Sequence, residues 1–130
     1  MDHYQYPRNK RKIDDPSYQK IHMDSSSCID DIYVYVLLEN DTIKDIAFDG
    51  VACTIATSST SIMTELVKGK KIDAARVIIQ NYFDMIYEKP YDADILEEAN
   101  VFKFTYKQAN RIHCATIGWN GLTEILDKNK

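Results

Sequence analysis

The sequence contains no apolar run approaching the ~18 residues that a membrane span requires, and its first residues lack the apolar stretch of a secretory signal. Both absences predict a cytoplasmic chain with no membrane partner. Positive charge is not in surplus: 16 Lys and Arg stand against 20 Asp and Glu, a formal charge of −4. Phosphate neutralisation supplies most of the affinity in nucleic-acid binding, so nucleic acid is excluded as a partner. The basic clusters Arg8-Asn9-Lys10-Arg11-Lys12 and Lys68-Gly69-Lys70-Lys71 read as solvated surface. Cysteine is scarce and odd in number, with three in 130 residues. A reducing compartment and an unpaired count both argue against a disulfide framework. Core packing, metal binding and thiol chemistry remain as uses for the three.

The rest of the composition is ordinary: 45% hydrophobic and 28% charged, as in a globular domain able to bury a core without staples. Residues 1–130 are read as one domain without internal repeats. Residues 1–27 are polar and irregular. Asp2 to Tyr6 reads as one helical turn ended by Pro7, with a short extended piece around Tyr18 to Met23. Asp24-Ser25-Ser26-Ser27 is a loop that delivers Cys28. Ile32 to Leu38 is rich in β-branched and aromatic residues and reads as a strand. Glu39-Asn40-Asp41 then turns into a second strand over Thr42 to Phe48. Asp49-Gly50 marks another turn, and Val51-Ala52 begins a third short strand.

From Thr54 to Val67 the spacing of Ile55, Ile62, Met63 and Leu66 predicts a helix, with Gly69 placed for its C-terminal cap. A second helix is predicted from Ile72 to Tyr87, with Asp73 in its first turn and Ala75, Ile78, Ile79, Tyr82, Phe83 and Ile86 on its apolar face. Residues 88–108 begin as an acidic excursion broken at Pro90, with one short turn of helix. A last helix spans Ala109 to Leu126 on a stripe of Ile112, Ala115, Ile117, Trp119, Leu122 and Ile125. The predicted class is α+β, a small three-stranded antiparallel sheet with helices packed on one side.

Each cysteine falls at an element boundary. Cys28 precedes the first strong strand, and Asp30, two residues on, points to the same side of an extended chain. Cys53 stands where strand gives way to helix, where unpaired N–H groups favour a thiolate. Cys114 lies early in the last helix, with Arg111 one turn before it on the same face to offset negative charge. Three thiolates and a carboxylate suit zinc. Yet three cysteines in a chain of this size are buried hydrophobes more often than ligands, so spacing alone leaves both readings open. His113, adjacent to Cys114, points about 100° away in a regular helix and reaches the same metal only from a frayed start. His3 and His22 read as surface residues. Thr57-Ser58-Ser59-Thr60-Ser61, with no base placed to activate it, reads as a polar face or as close-packing helix positions.

In order along the chain, these residues resemble the NifU-N/IscU-like family and, within it, the SufU branch. Asp2-His3-Tyr4 with Pro7-Arg8-Asn9 is similar to the family's D-H-Y-x-x-P-R-N opening, and Cys28-Ile29-Asp30 stands at its C-G-D motif. Gly50-Val51-Ala52-Cys53 is similar to G-x-x-C. Met63-Thr64-Glu65 and Val67-Lys68-Gly69-Lys70 follow, then Arg111-Ile112-His113-Cys114-Ala115-Thr116 at R-I-K-C-A-T, with Trp119 in place. The chain departs from the pattern at Ile29, in place of the motif glycine, and within Ser25-Ser26-Ser27, where a proline is common. His113 is the IscU-like choice where SufU has lysine. The first helix of the family is truncated, and 88–108 corresponds to the SufU-type insertion.

The resemblance implies a SufE/NifU-like fold and zinc held by Cys28, Asp30, Cys53 and Cys114. It also implies a sulfurtransferase-type accessory protein, not a stand-alone enzyme, that accepts persulfide sulfur from a SufS-like cysteine desulfurase. Cys28 is expected to be the sulfur acceptor, being on the segment that follows three serines. Arg111 is expected to support the charge, and downstream cluster-assembly or acceptor proteins to receive the sulfur. The alternative is an IscU-like scaffold carrying a transient [2Fe–2S] cluster, with His113 as an alternative ligand.

Overall fold

Asn40 and Asp41 form the two-residue turn of a tight hairpin, both with positive φ (53° and 61°). These residue types tolerate the left-handed region, and the turn matches the twist of its flanking strands. The computed structural model describes residues 9–24, 31–102 and 109–128. The predicted turn at Asp2 to Tyr6, together with His3, Pro7 and residues 25–30, lies outside them.

The hairpin joins β2 (Asp31–Glu39) to β3 (Thr42–Val51), paired antiparallel from Asp31↔Val51 to Glu39↔Thr42 with a register shift at Leu37/Leu38. Strand β1 (Gln19–Asp24) pairs antiparallel with the other edge of β2, giving the order β1-β2-β3. The predicted three-stranded antiparallel sheet is present, but its third member differs. It is the extended piece inside the polar N-terminal segment. Val51 continues β3, because Asp49-Gly50 does not turn.

Four helices follow: α1 (Thr54–Val67), α2 (Ile72–Ile86), the single turn α3 (Ala93–Leu96) and α4 (Ala109–Asp127), with a 3-10 helix over Glu97–Phe102. Alternation along β2 sends Ile32, Val34 and Val36 into the core, joined there by Ile43, Ile46 and Phe48 of β3. Helices α1 and α4 pack on this face and on each other, and α2 packs against both. Ten of the fourteen residues of α1 are buried, so this helix is internal to the layer rather than amphipathic. Gly121 of α4 lies directly over β1 and β2: an added Cβ would come within 3.0 Å of Met23 and 3.2 Å of Val34.

The opposite sheet face carries His22, Tyr33 and Tyr35 in a stacked row. Residues 9–11 run along the far edge of β3, where Arg11 N–H donates to the Phe48 carbonyl (2.8 Å) and Phe48 N–H to that of Asn9 (3.0 Å). The Asn9 side chain donates to Thr64 Oγ1 (3.0 Å) and Glu65 Oε2 (3.3 Å), and its oxygen accepts from Lys68 Nζ (3.3 Å). The three motif fragments around Asn9, Thr64 and Lys68 therefore meet in one fastening. Beside them Asp45 receives Arg11, Tyr18 and Lys68. Burial alone raises its pKa, but the Tyr18 hydrogen bond, the Arg11 charge and the Lys68 contact outweigh it and hold the carboxyl below its ordinary value.

Candidate metal centre

Cys53 is the N-cap of α1. Its backbone is extended (φ −69°, ψ 170°), and its sulfur accepts from the Ala56 N–H at 3.4 Å. A thiol thus occupies the place usually taken by Ser, Thr, Asp or Asn, and its sulfur satisfies one of the free N–H groups of the helix start. The residue is half-buried and packs on the core.

Gly50 explains how Cys53 reaches that place. With φ +121°, its backbone lies so close to β2 that an added Cβ would sit 2.0 Å from the Asp31 carbonyl oxygen. Only glycine combines this dihedral with this approach. Strand β3 therefore runs on to Val51, paired with Asp31, and Cys53 emerges two residues later. Asp24 and Asp31 are themselves partners across β1 and β2. The connection between them, on which Cys28 and Asp30 fall, thus leaves and re-enters the sheet at the end where Cys53 begins its helix. His22 bridges this point from β1, paired with Asp31 and stacked on Tyr33 at 4.5 Å. His22 is consequently a fixed element at the mouth of that connection. His22 is exposed, as expected from sequence; its pairing with Asp31, a diagonal cross-strand neighbour nine positions away, is set by strand register and not by local sequence.

Cys114 is 8% exposed and belongs to the core cluster, while His113 beside it faces solvent. The two point apart in a formed helix. Both described cysteines are thiols, and their helices α1 and α4 pack directly on one another. Among the described residues, no group of three or more His, Cys, Asp or Glu assembles. Cys28 and Asp30 lie outside those residues, as does the Arg111 side chain. Thiol donors on two packed helices, one at a helix start, are the chemistry that zinc or an iron–sulfur cluster selects. The donor set fits either.

Thr57-Ser58-Ser59-Thr60-Ser61 proves to be a packing surface. Ser59, Thr60 and Ser61 are buried, and Thr60 lies against Gly118 of α4, where an added Cβ would meet its Oγ1 at 2.3 Å. A separate groove of about 450 Å³, between α1, α2 and α3, is lined by Leu66, Val77 and Ile78 with Lys70 and Asp94 at its rim. It lies at the other end of α1 from Cys53.

The family model for the NifU-like N terminal domain matches residues 1–128. The chain belongs to this family. It is 34% identical to the zinc-dependent sulfurtransferase SufU of Bacillus subtilis over 131 aligned positions, covering 100% of this chain and 88% of that protein. It is 32% identical to the iron–sulfur cluster assembly scaffold protein IscU of Streptococcus pyogenes, covering 98% of this chain and 80% of that one. Among solved structures, the FiSufU chain of Fervidobacterium islandicum superposes with a TM-score of 0.91 at 27% identity, covering 97% of this chain and 92% of that one. The three-stranded antiparallel sheet with helices on one face is therefore the family's fold. No helix among the described residues is long and apolar enough to cross a membrane.

Proposed function

We propose that this chain is a zinc-dependent sulfur acceptor in iron–sulfur cluster assembly, working with a cysteine desulfurase. The observation that carries the reading is Cys53 as a helix N-cap at the sheet end where the connection bearing Cys28 and Asp30 returns. Whole-length similarity to a zinc-dependent sulfurtransferase supports it.

Cys28, Asp30, Cys53 and Cys114 are the proposed ligands. Bound zinc would keep their thiols ionised at neutral pH. The Ala56 N–H donates to the Cys53 sulfur, and the core holds Cys114 away from water. Cys28 is the ligand proposed to leave, being on the segment that follows three serines, whereas Cys53 caps one helix and Cys114 lies within another. Its thiolate attacks the outer sulfur of the desulfurase persulfide. A new S–S bond forms on Cys28, the desulfurase S–S bond breaks, and the desulfurase keeps the thiolate as leaving group. Arg111 is proposed to offset the site's negative charge. The cytoplasm is the proposed compartment, and cluster-assembly or acceptor proteins the recipients. Residues 1–130 act as one domain in this reading, with 88–108 as its SufU-type insertion.

The test is sulfur transfer from a SufS-like desulfurase, followed by mass spectrometry of the acceptor. One added sulfur on Cys28, absent in Cys28→Ala together with loss of desulfurase stimulation, is expected. A Cys28→Ala variant that still accepts sulfur at the wild-type rate would falsify the assignment. The similarity to a scaffold protein favours one second reading, a transient [2Fe–2S] cluster on the same cysteines, although His113, the alternative ligand expected from sequence, faces solvent and points away from Cys114. Anaerobic reconstitution with iron and sulfide that gave a stable visible-absorbing chromophore would select it.

A further inference from the structure

Three side chains from three helices converge one residue past Cys114, and no step of sulfur transfer uses them. The Ala115 carbonyl of α4 accepts from Ser59 Oγ of α1 (2.6 Å) and from the Tyr82 hydroxyl of α2 (2.6 Å). Trp119 Nε1, one turn further along α4, donates to Ser59 Oγ (3.0 Å). The Ser59 and Tyr82 oxygens are 3.0 Å apart. Proton counting resolves the roles. Each hydroxyl has one proton to give; both go to the carbonyl along the short contacts, and Ser59 accepts from the indole. Ser59, Tyr82, Ala115 and Trp119 are all at most 1% exposed. The Tyr82 ring lies flat on Trp119, with centroids 3.8 Å apart and planes at 4°.

We propose that Ser59 and Tyr82 are positioning residues that fix the rotation of α4 at Cys114 and so aim its thiol into the metal site, an inference that rests on the zinc reading above. An apolar contact lets one helix roll or slide on another, whereas a satisfied buried polar network admits one arrangement. Here α4 is held at Ala115 and at Trp119, one turn apart on the same face, so both its rotation and its axial position are set. Ser59 stands six residues after the Cys53 cap, roughly 9 Å along α1 at 1.5 Å per residue. One node thereby ties together both helices that carry described cysteines. The neighbouring approach of Thr60 to Gly118, with no room for a Cβ, removes slack from the same crossing.

The test compares Tyr82→Phe and Ser59→Ala with Ile79→Val, a buried α2 position outside the network. For each, three quantities are measured: zinc affinity by chelator competition, the absorption spectrum of the cobalt-loaded protein, and the alkylation rate of Cys114 after metal removal. Residues that orient metal ligands typically change affinity by about 10–100-fold when removed. Such a loss is expected for both hydroxyl variants, with altered cobalt bands and about tenfold faster Cys114 alkylation. Ile79→Val should leave all three unchanged even though its Tm falls. Hydroxyl variants that lower Tm but match Ile79→Val in all three readouts would overturn the proposal. If Tyr82→Phe does not fold, Ser59→Ala decides it by the same readouts. If wild-type protein holds neither zinc nor cobalt, the zinc reading fails. The alkylation arm alone then decides whether the node positions Cys114: faster alkylation supports this, an unchanged rate overturns it.

Discussion

The two ends of helix α1 are built on opposite plans. Its C-terminal end is fastened from several sides: Asn9 reaches Thr64 and Glu65, Lys68 reaches Asn9 and Asp45, and Gly69 N–H donates to the Ile43 carbonyl at 2.7 Å. At its N-terminal end the sulfur of Cys53 takes the cap position itself, half-buried, two residues beyond the Asp31↔Val51 pair that ends the sheet. In the proposed mechanism Cys53 is held while Cys28 leaves, which asks for a stiff backbone and an open side chain at Cys53. The fastened end supplies the stiffness and the capped end the opening. Family motif residues fall at both ends, and those at the far end make the anchoring contacts.

The largest break in this comparison is expected at the glycines that allow close approach. In Gly50→Ala the Cβ collides with the Asp31 carbonyl at a positive φ, and in Gly118→Ala it collides with Thr60. Each should cost upwards of about 3 kcal/mol, the range of overpacking combined with backbone strain. Thermal unfolding will show this, and for Gly50→Ala metal loss should accompany it. Next comes the anchoring end. Asn9→Ala and Asp45→Asn should each lose about 1 kcal/mol, as for partly buried hydrogen bonds, while metal affinity stays within about twofold. Because the Asp45 carboxyl is held below its ordinary value of 3.8, its contribution is full above that pH. The contribution is lost as pH falls through the depressed folded value. A urea titration series from pH 6 to pH 2 should show this loss in wild type and not in Asp45→Asn.

The capped end should respond in the reverse sense. Cys53→Ser keeps a good N-cap, so stability should change by less than about 0.5 kcal/mol, yet metal binding should be lost. Smallest is Thr60→Val. Thr60 Oγ1 is buried without a hydrogen-bond partner, so its removal should be neutral or stabilise by up to about 1 kcal/mol. The midpoint of a denaturant titration would register either.

The helices were legible in the sequence because periodic apolar positions and Gly69 mark them; Thr54–Val67 is the span expected from pattern. Strand β1 was only half legible. Its alternation of Ile21 and Met23 with Lys20, His22 and Asp24 is present, but it is short and sits within a polar stretch. Asp49-Gly50 has the composition of a turn, yet Gly50 serves a close strand approach, a distinction that depends on β2 and not on local sequence. The cysteine motifs were legible in the sequence, whereas the Ser59–Tyr82–Trp119 node was not. Its members lie 23 and 37 positions apart and converge only through tertiary packing.

The most direct measurement is the metal content of protein purified anaerobically without added metal, compared with Cys53→Ser and Cys28→Ala. The account predicts about one zinc per chain in the wild type, lost or weakened in both variants while the fold persists. No zinc in the wild type, or iron with labile sulfide in its place, would contradict it.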